Sequence, residues 1–126
     1  DLYWGDNDGA FLNGTKLSTS KIKEKGRSII CTGFPSYNKL DKDDMGEFLR
    51  KVNQFKKVRL LGSAAMSLAY LAKGSVEAYT EERIGLWDVG AGLAIVAAAG
   101  GTNNFTYDDK DGMLLNVYST NGVQEI

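Results

Sequence analysis

The residues that could do chemistry in this chain are oxygen donors. Histidine is absent from the 126 residues, which removes Ser-His-Asp and Cys-His triads and HExxH zinc sites together. Carboxylates, hydroxyls, backbone amides and any metal they hold are what remains. In Leu61-Gly62-Ser63-Ala64 a strand end runs into a helix start. The glycine lets a ligand approach the backbone, and free N–H groups at the positive end of the helix suit an anion. Ser63 equally suits a plain N-cap. Asp88 follows Trp87 where a second helix begins. It fits two jobs: an N-cap, or a carboxylate ligand for Mg²⁺, a hard cation that takes oxygen ligands and keeps several waters. Glu81 and Glu82 lie between a strand and Trp87, as solvated loop charges or as carboxylates aimed into the same cleft. That cleft is expected outside the carboxyl ends of the strands, where α/β sheets bind ligands.

The frame for these positions follows from composition and pattern. The length leaves room for one domain, at roughly 100–200 residues per domain, and 43% hydrophobic with 25% charged residues is ordinary globular composition. Lys plus Arg number 15 against 16 Asp plus Glu, so no basic excess exists to neutralise nucleic acid. No apolar run approaches the ~20 residues of a membrane span. The single cysteine, Cys31, and the lack of a secretory signal point to a reducing, cytoplasmic setting.

Along the chain, Leu2–Trp4 and Gly9–Leu12 read as a hairpin around Gly5–Gly9, with a second turn at Asn13-Gly14 and alternating character over Lys16–Ser20. Arg27–Thr32 reads as a strand buried on both faces. Asp43 or Asp44 is placed to cap an amphipathic helix reaching Phe55. Strand Lys57–Leu61, an apolar helix to Lys73, strand Val76–Thr80, a helix from Trp87 to Gly100-Gly101, and strands Thr102–Tyr107 and Met113–Tyr118 follow. This alternation predicts an α/β fold with partly parallel pairing. Gly90 and Gly92 each cost roughly 0.8–1 kcal/mol against Ala inside a helix, so a neighbour pressed close to that backbone is expected. The Asp109-Asp111-Gly112 and Asp6-Asp8-Gly9 runs lack acidic residues at the end positions of an EF-hand and read as turns. Lys16, Lys21, Lys23, Lys25 and Arg27 read as a solvated strand face.

Together these segments resemble a known family. Gly9–Gly14 looks like its "GAFxNG" hairpin, Val58–Ala65 like its "VRxxGSAA" segment, and Gly74–Glu81 like its "GxxDAYxE" strand, with Glu77 for the commoner Asp. Leu86–Gly92, followed by Ala99-Gly100-Gly101, is similar to the "WDxxAG…AGG" signature of inositol monophosphatase-like phosphatases. The resemblance implies the layered α/β sugar-phosphatase fold and an Mg²⁺-dependent, lithium-sensitive phosphomonoesterase acting on a small phosphorylated polyol or sugar. It implies that Asp88 binds a metal and contacts substrate, that Glu81 hydrogen-bonds substrate hydroxyls, and that Gly62, Ser63 and Ala64 touch substrate.

The family's "DP[IL]DGT" segment has no counterpart, because the only proline, Pro35, is followed by Ser36. Hydrolysis between two metals needs more carboxylates than Asp88 supplies. The resemblance therefore implies the C-terminal part of the enzyme, inactive alone. Residues 1–17 are then left over from an N-terminal domain's sheet, and 18–126 form the C-terminal α/β domain. The expected partners are the missing N-terminal part and, in a homo-oligomer, other copies. The exposed hairpin edge predicts dimerisation or aggregation of the chain alone. Inositol monophosphate is the expected substrate. Fructose-1,6-bisphosphatase or nucleotide 3′-phosphatase specificity, and a non-catalytic phosphate- or polyol-binding domain, are the alternatives.

Overall fold

The computed structural model describes residues 1–34, 42–108 and 110–124. The expected features at Pro35, Ser36 and Asp109 lie outside the described residues.

Two sheets form. Strands β1 (Tyr3–Asp6), β2 (Gly9–Leu12) and β3 (Thr15–Lys16) make an antiparallel three-stranded sheet in that order. The second sheet contains β4 (Ile29–Thr32), β5 (Lys57–Arg59), β6 (Ala78–Gly85), β7 (Thr102–Tyr107) and β8 (Leu114–Thr120), in the order β5-β4-β6-β8-β7. Strands β5, β4 and β6 are parallel, whereas β8 runs antiparallel to β6 and β7 antiparallel to β8. Helices α1 (Lys42–Val52), α2 (Ala64–Lys73) and α3 (Leu86–Ala98) complete the order. The α/β expectation holds, and the parallel strands β4, β5 and β6 are joined through helices α1 and α2.

Strand β4 shows why the Ile29-Ile30-Cys31 run carries no polar alternation. Ile30 packs with Phe55 and Ala78 on one face, while Cys31 joins Leu68, Tyr79 and Val89 in the larger cluster on the other. Both are fully buried. Burial pushes the Cys31 thiol up from its usual value.

Helices α2 and α3 lie against each other, and the close approach expected of Gly92 is present: a Cβ there would strike Leu68. Gly90 meets only its own helix's Leu86, so the expectation fails at that position.

Several boundaries differ from expectation. Lys16–Ser20 contributes only the end of β3, and residues 17–24 cross the molecule without strand pairing. Thr19 and Asn121 hold this crossing: the Thr19 hydroxyl donates to the Asn121 carbonyl at 2.8 Å, and the Asn121 amide donates to the Ile22 carbonyl at 2.8 Å. The basic residues from Lys16 to Arg27 are therefore not one strand face, since Lys25–Arg27 form a 3-10 turn. Helix α1 starts at Lys42, which places Asp43 and Asp44 in its first turn rather than at its cap. It ends at Val52, and Phe55 reaches the core from the following turn. Among the described residues no helix is long and apolar enough to cross a membrane.

Candidate active site

A cleft of about 500 Å³ opens outside the carboxyl ends of the three parallel strands. It collects Thr32 and Gly33 after β4, Gly62, Ser63 and Ala64 after β5, Tyr79 and Glu81 on β6, and Trp87 and Asp88 at the start of α3. All five residues singled out by sequence, Gly62, Ser63, Ala64, Glu81 and Asp88, thus line one cavity.

The α2 end suits a negative ligand. Ser63 caps the helix, its hydroxyl accepting from the Met66 amide at 3.2 Å. Capping satisfies one of the helix's first donors. The preceding amides of Ala64 and Ala65 have no acceptor one turn back, and both residues line the cleft. No acidic residue occupies the first turn, so the positive end of the helix is not neutralised from within. Capping and anion binding are compatible here.

The α3 start is different. Its N-cap is Gly85, with no side-chain hydrogen bond, and Asp88 lies three residues on, inside the first turn. Asp88 is therefore not the cap. Its side chain is exposed beside Trp87 and lines the cleft.

Glu81 is a strand residue, not a loop charge, because β6 runs on to Gly85. The Tyr79 hydroxyl donates to Glu81 Oε2 at 2.6 Å. Tyr79 is only 1% exposed. Its hydroxyl is held far above the ordinary tyrosine range by burial first, then by the Glu81 bond and the charges of Glu81 and Asp88. Both carboxylates therefore act on one buried phenol.

A bulge in β6 makes this convergence possible. Glu81 pairs with Val117 and Ile84 with Leu115, so Glu82 and Arg83 together oppose Asn116. Side chains alternate faces along a strand. The additional residue reverses that alternation, so that Tyr79, Glu81 and Ile84 all reach the cleft. Glu82 is left exposed outside it. Arg83 takes a left-handed φ of 54° at the bulge. Its amide donates to Asn116 Oδ1 at 3.0 Å and its guanidinium pairs with Asp108, which also accepts from the Asn116 amide at 3.2 Å. Tyr79, Gly33 and this bulge escaped sequence reading. The Glu-Glu-Arg run offers no apolar pattern to place it, although a break in alternation after Glu81 is the signal that marks it.

The donor set suits a hard cation. Asp88 and Glu81 offer carboxylate oxygens, and Ser63 and Thr32 hydroxyls lie in the same lining. Among the described residues no group of three or more His, Cys, Asp or Glu converges to hold a metal ion. The described lining thus supplies at most part of a cation site.

Comparison with known proteins covers nearly the whole chain. The profile of the inositol monophosphatase family matches residues 1–120. A Thermotoga maritima protein named fructose-1,6-bisphosphatase/inositol-1-monophosphatase is 33% identical over 97% of this chain and 46% of its own length. The Nus factor SuhB of Pseudomonas aeruginosa is 37% identical over 78% of this chain and 38% of its own. The solved inositol monophosphatase of Anabaena (Nostoc) superposes with a TM-score of 0.82 at 33% identity, over 97% of this chain and 50% of that one. The chain spans about half the length of the relatives it matches.

Proposed function

The chain belongs to the inositol monophosphatase family, and from that premise we propose that it forms the substrate-binding half of an Mg²⁺-dependent phosphomonoesterase acting on inositol monophosphate. The observation that carries this reading is the convergence, in one cleft, of an acid-free helix start with two carboxylates of separate elements. The phosphate sits at the start of α2, where the amides of Ala64 and Ala65 donate to its oxygens and Gly62 keeps the approach clear. Glu81, an acceptor when ionised, takes hydroxyl groups of the polyol. Asp88 contacts substrate and holds Mg²⁺ by a carboxylate oxygen. The ion supplies charge neutralisation on the phosphate and a water of lowered pKa.

Further carboxylates for the metal site come from the part of the relatives that this chain does not span, so the segment alone is inactive. Trp87 and Phe34 support this reading, because both line the cleft and remain 69% and 51% exposed. In the same reading residues 1–17 belong to the sheet of a preceding domain, and the protein is a cytoplasmic homo-oligomer. The Thermotoga maritima relative's double name favours fructose 1,6-bisphosphate as the second substrate to test.

The test is release of inorganic phosphate from myo-inositol 1-phosphate by the longer polypeptide carrying this sequence, with Mg²⁺ and after chelation. Mg²⁺-dependent turnover is expected. Release that persists unchanged in chelator overturns the metal assignment, and faster turnover of fructose 1,6-bisphosphate moves the specificity.

A further inference from the structure

We infer that Tyr79 and Gly33 set the hydroxyl selectivity of the cleft by fixing the orientation of the Glu81 carboxylate. This rests on the proposed function and deepens it.

A glutamate side chain beside an open cleft samples several rotamers. Glu81 is held from two sides. The buried Tyr79 hydroxyl donates to Oε2 at 2.6 Å, a short bond of the kind made to an ionised acceptor. Around Oε1 the backbone of Gly33 closes in, so that a Cβ at position 33 would overlap the carboxylate. A Cβ at residue 33 would push the Glu81 carboxylate, the mobile end of its side chain, out of this position. With Oε2 committed to a permanent donor, the carboxylate offers its remaining lone pairs to the cleft and repels an anion.

Such a group accepts from a neutral hydroxyl and disfavours an anionic group placed directly against it. It therefore selects ligands with the phosphate at the α2 end and an uncharged hydroxyl at the β6 end. Tyr79 lies behind Glu81 and acts through it. It is a positioning residue.

The experiment compares two phosphomonoesters with the longer polypeptide: myo-inositol 1-phosphate, which carries hydroxyls, and phenyl phosphate, which carries none. The readout is the ratio of their kcat/KM values. Tyr79→Phe removes only the hydroxyl and Gly33→Ala adds only the Cβ. Each is expected to lower that ratio about tenfold, the size expected for one hydrogen bond to a charged group. Melting curves of both variants check folding, and Gly33→Ala carries the test should Tyr79→Phe fail to fold. An unchanged ratio in a folded variant, with both esters slowed equally or not at all, overturns this inference alone. Failure of the wild-type protein to hydrolyse either ester overturns the proposed function and this inference with it.

Discussion

The starts of α2 and α3 lie on the same cleft yet are built in opposite ways. Helix α2 begins with a side-chain cap at Ser63 and no acid in its first turn. Helix α3 begins at Gly85, uncapped by any side chain, with Asp88 in its first turn. An acid near a helix start is ordinarily worth a few tenths of a kcal/mol through the dipole. Its absence from α2 and presence in α3 therefore matter less for folding than for what each end presents. One end offers unneutralised amides, which suit an anion, and the other a carboxylate, which suits a cation. A phosphate and its counter-ion can then lie side by side between two helices of one sheet.

Four predictions test this contrast. The largest effect belongs to Asp88→Asn. Turnover of myo-inositol 1-phosphate in the longer polypeptide should fall by about a hundredfold or more, since one metal ligand is lost, while the melting temperature stays within a degree or two because Asp88 is exposed. Retention of turnover within a few fold would remove Asp88 from the metal site. The second change, Gly92→Val, acts on the packing that sets the two helix starts side by side. The added side chain meets Leu68, and overpacking of this kind costs about 1–3 kcal/mol, read from urea denaturation. Stability equal to wild type would mean that α2 and α3 are not in close contact.

Third, Ser63→Ala should cost about 1 kcal/mol from loss of the cap and raise KM for any phosphomonoester by a small factor. A rise confined to hydroxylated esters would assign the α2 end to the polyol instead. The smallest effect is an alkaline one. The Tyr79 phenol is raised above its ordinary 10.0, so above pH 10 the unfolded chain releases a proton that the folded chain keeps. The stabilising contribution is complete below pH 10 and is lost as pH rises beyond it. Melting temperatures between pH 9 and 11 should fall less steeply for Tyr79→Phe than for wild type. Equal slopes would mean that Tyr79 titrates freely in the fold.

The shared location of these residues was legible because its signals are local. Gly62-Ser63-Ala64 and Trp87-Asp88 each combine a turn residue, a helix start and a polar group within a few positions, and the alternation of elements placed both at strand ends. What stayed hidden depends on pairing between distant segments. Alternation ends the strand at Thr80 and only the resemblance to GxxDAYxE carries it to Glu81, because β6 continues to Gly85 by pairing with β8, some 35 residues later. The bulge at Glu82-Arg83 exists because Asn116 and Asp108 hold it, and neither signals that role in its own neighbourhood. Asp88 read equally well as a cap until the pairing of Gly85 with Leu114 fixed where α3 begins.

Cys31 lends the molecule an internal clock. Its thiol is fully buried on β4, between the two neighbouring strands of the parallel half, and burial raises its pKa, so the reactive thiolate is scarce in the native state. A thiol-reactive dye can label it only during openings that part β4 from α2. Because the chain holds no other cysteine, each labelling event reports that one opening. The dependence of labelling rate on added phosphate ester then measures how tightly a ligand at the strand ends holds the sheet shut.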